Sequence, residues 1–266
     1  NMGYGTGTLF GAEIGATYDI FNGLDGVTVN DDNTITVGKA DADVLAYADP
    51  SYGSAPMLRT EFNADKEIAS ARMYVTAQGI YEMYINGERM GDDWFNPGNE
   101  EYRERIAYHT YDVTDMLQQG ENAIGAQLSE GWWSGYQTYT SSNYNYYGDK
   151  QALMAKLEIT YTDGTTDTVV TDDATWDYYG DGPVEYGSFY QGERYNALKE
   201  QDGWSTVGYD DSAWRDATVI ETREAFDDYE LVTRYDEPAG IVNEIPVKEA
   251  LGESRPGSGS YIYDMG

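Results

Sequence analysis

The sequence lacks cysteine, has a single histidine and is poor in basic residues. Without cysteine the chain can form no disulfide and no thiolate metal site, and it has no cysteine nucleophile. Its 16 Lys and Arg residues stand against 48 Asp and Glu residues, which gives a formal net charge of −32. Such a charge repels nucleic-acid phosphates and anionic membrane surfaces alike. We therefore expect neither a nucleic-acid partner nor a membrane partner.

Long apolar runs are also lacking. No stretch approaches the roughly 20 residues that a membrane-spanning helix needs. The first residues, NMGYGTGTLFG, have neither a basic nor an apolar region, so any signal peptide that the gene encodes is expected outside this chain. Their glycines do not follow a strand or open a helix, as a dinucleotide fingerprint requires. High Tyr, Asp, Thr and Gly with few lysines is typical of secreted polysaccharide-handling proteins and favours an extracellular or cell-surface parent.

Catalytic constellations are not evident. His109 is the only histidine, and because triads and zinc sites usually need more partners, we expect it at a strand surface or packed inside. With so many acidic residues, almost any two could be proposed as the catalytic pair of a glycosidase. Such a pair is defined by the distance between its carboxyl groups, which the sequence does not show. We assign no catalytic residue on this basis.

Period-2 alternation dominates what is present. Met73 and Val75 share one face of a predicted strand, and Tyr81, Met83 and Ile85 share one face of the next. The dipeptide at 86–87, Asn-Gly, then predicts a tight hairpin turn. A second hairpin is predicted from LMAKLEITY, a turn at 163–164, and a strand at 166–171.

Helix signals are scarce, and the segments TDMLQQG and DDSAW indicate turns between strands. Many short strands separated by frequent turns predict an all-β fold, an antiparallel β-sandwich of jelly-roll type with short helical turns. We predict an irregular β-rich segment over 1–55, with a strand at Thr34 to Val37, that either completes the sandwich or belongs to a neighbouring domain. The sandwich itself is predicted over 56–225. Residues 226–266, with the linker-like GESRPGSGS, are interpreted as a linker and the truncated start of a following β domain.

Several short motifs occur in a specific order along the chain. They are the run from MLRTEF at 57 to SEGWW at 133, then YGD at 147–149, LMAKLEITYTDGTT, TDDATW, YQGERYNA, GW at 203–204 and DDSAW at 210–214. In this order and spacing they resemble the N-terminal β-sandwich region of bacterial α-L-rhamnosidases. The resemblance covers roughly 57–266, and the first fifty residues match poorly.

The resemblance implies a division of labour. Complete members of that family have β-sandwich domains ahead of an (α/α)₆ barrel, and the barrel carries the acidic residues that hydrolyse the rhamnoside. Nothing in this sequence resembles the barrel, so we expect a fragment of a longer protein, inactive alone, with a downstream catalytic domain in cis. In some members the sandwich binds L-rhamnose with help from calcium, and in others it is a scaffold. The expected partner is a rhamnose-containing glycan.

The segment EGWWSGYQTYTSSNYNYYGD, residues 130–149, concentrates aromatic residues among polar ones with no aliphatic neighbour. Sugars present apolar C–H faces that stack on aromatic rings and hydroxyls that bond to amide and carboxylate groups, and a large exposed aromatic patch marks an interaction site. Alternatively Trp132 and Tyr147 fold inward and the remaining rings form a lid. Glu193, next to Arg194, is either a ligand contact or one half of a structural ion pair. The candidate sugar-binding residues are Trp132, Trp133, Tyr136, Tyr147, Asp149 and Glu193.

Oxygen-rich segments suggest a cation site. Calcium prefers several carboxylate and carbonyl oxygens from one or two loops. Asp92, Asp93 and Asn96 lie within five residues, and Glu100 and Glu101 follow. The candidate calcium ligands are Asp92, Asp93, Asn96 and Glu101. The alternative is a solvated loop whose Asp and Asn side chains cap local turns. The run NDDN at 30–33 is a weaker candidate. No cofactor is required by these patterns, and calcium remains an expectation.

Overall fold

The computed structural model describes residues 54–137, 144–220 and 229–266, together with four short strands before residue 54. Those four strands form two antiparallel hairpins, β1 (Thr8–Leu9) with β2 (Ala12–Glu13) and β3 (Val27–Val29) with β4 (Ile35–Val37). The strand predicted at residues 34–37 is thus present from Ile35. The run at 30–33 lies outside the described residues.

The remaining strands form two stacked sheets and two hairpins. In chain order they are β5 (Met57–Ala64), β6 (Ile68–Gln78), β7 (Ile80–Ile85), β8 (Glu88–Arg89), β9 (Arg105–Asp112), β10 (Gly120–Ser129), β11 (Ala152–Tyr161), β12 (Thr166–Val170), β13 (Asp177–Tyr179), β14 (Val184–Ser188), β15 (Gly192–Tyr195), β16 (Arg215–Asp216), β17 (Glu230–Thr233), β18 (Glu249–Glu253) and β19 (Tyr261–Asp264). Short 3₁₀ turns occupy Thr114–Met116 and Ala197–Lys199.

One sheet has six strands in the order β16, β13, β5, β10, β7, β8, and the other has five in the order β12, β11, β6, β9, β17. Nearly all of these neighbours are antiparallel, which confirms the predicted all-β antiparallel sandwich. Strand β17 differs, since it runs parallel to β9 at the edge of the smaller sheet. No helix among the described residues is long and apolar enough to cross a membrane.

The hydrophobic core lies between the two sheets and contains the residues that the period-2 alternation predicted to be buried. Met73 and Val75 of β6 and Tyr81, Met83 and Ile85 of β7 are all buried. Their intervening neighbours face outward, as expected for strands that are covered on one face. The predicted pattern of buried residues in these strands is therefore confirmed.

Both predicted hairpin turns are present. Asn86 and Gly87, at φ 51° and 87°, connect β7 to β8 in the left-handed conformation that an Asn-Gly turn favours. The turn at 163–164 connects β11 to β12, and the ring of Tyr161 before it is buried. His109 is packed in the core and 4% exposed.

The outer face of the six-stranded sheet is covered by residues 201–217. The ring of Trp204 lies against the backbone of β10, where a Cβ at Gly125 would meet its Cζ3 at 2.5 Å. Arg59 of β5 is 1% exposed and pairs with Glu61 and Asp211. Its guanidinium also donates to the carbonyl oxygen of Trp204 at 3.0 Å. A buried, fully bonded arginine thus fixes this covering segment to the sheet.

The described residues cluster into two compact units. The first comprises Asn1–Gly91 and Phe95–Asp236 and contains the sandwich. The second comprises Asp92–Trp94 and Glu237–Gly266 and contains the β18–β19 hairpin, with Trp94 bridged to Ala239.

Candidate functional site

The aromatic segment is a long connection that leads from β10 in one sheet to β11 in the other. Its two ends are joined, because Nε1 of Trp133 donates to the carbonyl oxygen of Lys150 at 2.9 Å. Inside it, Gly135 and Asn145 exchange two hydrogen bonds of 2.7 and 2.8 Å. Residues 138–143 lie outside the described residues. Loops at the end of a sandwich are where binding residues are commonly carried.

Trp133 is the anchor of this connection. It is 4% exposed and packs edge-on against the fully buried Tyr102, with ring centroids 5.3 Å apart. Ile106 and Tyr147 complete its surroundings. Its indole also requires glycine at 148, where a Cβ would approach Nε1 to 2.4 Å. Trp133, predicted to contact sugar, therefore has no ring face free for a ligand and instead supports the loop.

Trp132 is partly buried against the same cluster as Trp133, and its ring also joins an exposed aromatic group. Its ring lies 4.5 Å from that of Phe189, and Phe189 lies 5.3 Å from Phe95. Phe95 is 47% and Phe189 is 40% exposed, whereas Trp132 is partly buried. We call these three rings the aromatic platform. Each comes from a different loop, since Phe95 precedes β9, Trp132 follows β10 and Phe189 is at the tip of the β14–β15 hairpin.

Two of the three platform residues were not predicted. Phe95 follows Trp94 in the loop GDDWFNPG, and Phe189 precedes Tyr190 in the loop YGSFYQGE. The signal that identifies them is a large apolar residue between turn-forming residues, outside any alternating strand. Sequence alone does not reveal that these loops meet at one end of the sandwich.

The other predicted sugar contacts lie around Trp133. The ring of Tyr136 packs edge to face against that of Tyr144, with centroids 4.8 Å apart. The Tyr147 hydroxyl donates to Glu101 at 3.3 Å, and burial together with the Glu101 charge raises the pKa of Tyr147. Asp149 is half-buried one residue before Lys150.

Glu193 is exposed on β15. The adjacent Arg194 forms its ion pair with Glu185 of the facing strand, Nε to Oε2 at 2.8 Å. The structural pair in this hairpin thus involves Glu185.

The candidate calcium ligands are largely engaged by other groups. The Asn96 amide is buried and donates to the Tyr111 hydroxyl at 3.1 Å. Glu101 pairs with Nε of Arg103 at 3.0 Å, and Glu100 pairs with Nε of Arg105 at 2.8 Å.

Asp92 and Asp93 belong to the second unit, whereas Asn96 and Glu101 belong to the first. Within the described ranges no group of three or more Asp, Glu or His side chains could hold a metal ion. Calcium binding at these residues stays a prediction.

The cations at this end of the sandwich hold loops in place. The Arg103 guanidinium lies over the rings of Tyr146 and Tyr147, at 4.7 and 5.4 Å. Arg105 lies over Tyr235 and bonds its hydroxyl at 3.0 Å, and the same hydroxyl donates to Glu100 at 2.8 Å. The contacts among Arg105, Tyr235 and Glu100 fasten the segment after β17 to β9.

Fold and site together define a β-sandwich module that presents a row of exposed aromatic rings on its end loops, a surface suited to stacking against a flat apolar face. Comparison with known proteins places this module in a family. A family model described as "Alpha-L-rhamnosidase N-terminal domain" matches residues 66–243. The chain belongs to the α-L-rhamnosidase N-terminal domain family.

Among curated proteins, the α-L-rhamnosidase of Streptomyces avermitilis is 36% identical over 220 residues, which cover 82% of this chain and 20% of that protein. The crystal structure of the S. avermitilis α-L-rhamnosidase complexed with L-rhamnose is similar with a TM-score of 0.70 and 34% identity, covering 80% of this chain and 20% of that one. Native α-L-rhamnosidase from Aspergillus terreus has a TM-score of 0.70 and 35% identity, covering 80% of this chain and 24% of its own. The chain thus spans about a fifth of the length of these relatives.

Proposed function

We propose that this chain is a non-catalytic, carbohydrate-binding region of an α-L-rhamnosidase, and that its aromatic platform stacks against a sugar ring. The ligand class is L-rhamnose or a rhamnose-containing glycan. Family membership supports the parent activity, and a similar solved α-L-rhamnosidase is complexed with L-rhamnose. Hydrolysis is assigned to a further domain of the same polypeptide, since the chain spans only about a fifth of its relatives.

The observation that carries the proposal is the meeting of Phe95, Trp132 and Phe189 at one end of the sandwich. Three large rings from three loops share one surface with centroid separations of 4.5 and 5.3 Å. Exposure of such rings to water costs about 25 cal/mol per Å² of apolar area. Covering them with the C–H face of a sugar therefore lowers the free energy. The hydroxyl groups at the sugar's edge need polar partners, and Tyr190, Gln191 and Glu193 lie close in sequence to Phe189.

A purely structural role is the second candidate, and one observation favours it. The outer face of the five-stranded sheet carries an apolar depression of about 340 Å³ lined by Tyr74, Tyr108, Met154 and Leu231 among others. Met154 and Leu231 are exposed there. Outer faces of two-layer sandwiches are normally polar, so this one is suited to packing against another domain.

Calorimetric titration of the purified chain with L-rhamnose tests the proposal. Binding in the millimolar range with a one-to-one stoichiometry is expected, and D-glucose serves as the control sugar. A second titration with added calcium, and a third with a chelator, test the calcium expectation separately. If tens of millimolar L-rhamnose produces neither heat of binding nor a thermal shift, with and without calcium, the carbohydrate-binding proposal is overturned and the structural role is the remaining candidate. Turnover of an aryl α-L-rhamnoside by the chain alone would overturn both candidates.

A further inference from the structure

The turn that carries Phe95 is fastened to the core at several points. The carbonyl oxygen of Asn96 accepts the Tyr81 amide at 2.9 Å, and the carbonyl oxygen of Pro97 lies 3.2 Å from Nε2 of His109. The Asn96 side chain reaches the Tyr111 hydroxyl. Strands β7 and β9 therefore hold both residues that follow Phe95.

Tyr111 is the centre of this arrangement. Its hydroxyl oxygen is 3.1 Å from Nδ2 of Asn96, 3.3 Å from Nδ1 of His109 and 3.3 Å from the hydroxyl of Tyr81. Its ring also lies against Gly91, where a Cβ would approach Cε1 to 2.7 Å. Tyr111 thus contacts the chain on both sides of the segment 92–95.

One assignment of the protons satisfies every group. His109 donates from Nε2 to the Pro97 carbonyl, so its Nδ1 is an acceptor. The Tyr111 hydroxyl donates to that Nδ1 and accepts from the amide of Asn96. The Tyr81 hydroxyl donates to Tyr111 as its second hydrogen bond. The Tyr111 oxygen thus bonds to both Asn96 and His109.

Phe95 needs such support because its backbone is strained. Its φ is 61°, a left-handed conformation that costs a residue with a Cβ free energy and persists where neighbouring contacts impose it. In this turn its ring contacts that of Phe189. Without the anchors at Asn96 and Pro97 the turn would relax, and the ring would leave the platform.

We propose that Tyr111 is a positioning residue that keeps Phe95 in the aromatic platform. This inference rests on the proposed sugar-binding function, and it concerns a residue that does not itself face the ligand surface. The single atom that matters is the Tyr111 hydroxyl oxygen, since the ring packing on Gly91 would survive its removal.

Tyr111→Phe tests the proposal, with Tyr161→Phe as the matched control. Tyr161 is a buried tyrosine of β11 whose hydroxyl donates to Asp167 at 2.7 Å. Removal of this hydroxyl deletes one hydrogen bond of the sandwich and leaves the Phe95 turn intact. Two readouts are needed. One is the nuclear Overhauser contact between the rings of Phe95 and Phe189 together with amide exchange at Tyr81. The other is the affinity for L-rhamnose.

In Tyr111→Phe the ring contact should be lost and Tyr81 amide exchange should accelerate, while affinity falls about threefold to tenfold. Tyr161→Phe should change neither readout. Asn96→Ala, which removes the other partner of the same bond, should reproduce the result, and the double variant should be no worse than either single one.

Retention of the Phe95–Phe189 contact and of slow Tyr81 exchange in both Tyr111→Phe and Asn96→Ala would overturn the inference. An unchanged affinity after the contact is lost would confirm the positioning role of Tyr111 and contradict the contribution of Phe95 to sugar binding. Failure of the wild-type chain to bind L-rhamnose would be a different result, since it would remove the proposed function while the ring-contact readout still decides whether Tyr111 positions Phe95.

Discussion

Nε1 of Trp133 donates a hydrogen bond of 2.9 Å to the carbonyl oxygen of Lys150 and so joins the two ends of the connection between the sheets. The ring of its neighbour Trp132 is only partly buried, and its centroid lies 4.5 Å from that of the exposed Phe189. Of these adjacent tryptophans, Trp133 supports the connection and Trp132 belongs to the aromatic platform.

The first prediction compares these two tryptophans. Trp133→Ala should lower the free energy of unfolding by about 3–5 kcal/mol, because it leaves a cavity beside Tyr102 and Ile106. Trp132→Ala should cost about 1 kcal/mol or less, since its ring is partly hydrated already. Urea denaturation followed by circular dichroism measures both. Equal losses in the two variants would refute the assignment of Trp133 as anchor.

The sequence predicts the strands well because their core positions repeat with period two, as at Met73 and Val75, and because Asn86–Gly87 has a strong turn preference. It does not predict the parallel placement of β17, since that strand pairs with β9 across more than a hundred residues. Local patterns contain no information on such a partner.

The second prediction concerns Arg59. Arg59→Met should destabilise the chain by about 3 kcal/mol, because Glu61 and Asp211 would remain without their cation and the carbonyl of Trp204 would lose its donor. Lys66→Met is the control, since its pair with Asp163 is exposed and should contribute about 0–1 kcal/mol. Chemical denaturation distinguishes the two. A loss at Arg59 no larger than that at Lys66 would show that residues 201–217 are held by their aromatic contacts alone.

The third prediction uses the contact between Trp204 and β10. A methyl group at position 125 would lie 2.5 Å from the indole, so Gly125→Ala should destabilise the chain by about 1–3 kcal/mol and displace Trp204. Gly240→Ala, with no heavy atom within 4 Å of the added Cβ, is the control and should be neutral. Thermal unfolding and the near-ultraviolet dichroism of tryptophan report the two effects. An unperturbed Gly125→Ala would mean that Trp204 does not pack on the strand.

The fourth prediction is a pH dependence that arises from Glu185. Hydrogen bonds from Lys199 and Asn196 lower the pKa of Glu185 to about 2. Because the folded value is depressed, the ionised carboxylate stabilises the fold fully above its unfolded pKa of about 4.3. That stabilisation is lost as the pH falls towards about 2.

Unfolding free energies measured between those two values should fall less steeply in Glu185→Gln than in the wild type. Glu249→Gln, which removes an exposed carboxylate from β18, should keep the wild-type slope. Identical slopes in all three proteins would show that the Glu185 contacts do not contribute.

The site was predicted in part. The sequence identifies the connection at 130–149 as unusual because aromatic residues without aliphatic neighbours rarely build a core. It does not tell which of Trp132 and Trp133 turns inward, because both follow a strand end where alternation stops. The more deeply buried indole is set by tertiary contacts, since Trp133 packs against the buried Tyr102 and against Gly148.

The affinity of the wild-type chain and of Trp132→Ala for L-rhamnose, measured by calorimetry under identical conditions, tests the central claim most directly. Trp132→Phe keeps an aromatic face and serves as the conservative control. The account predicts millimolar binding by the wild type, a loss of about tenfold in Trp132→Ala, and a smaller loss in Trp132→Phe. Equal affinity of the wild type and Trp132→Ala would contradict it.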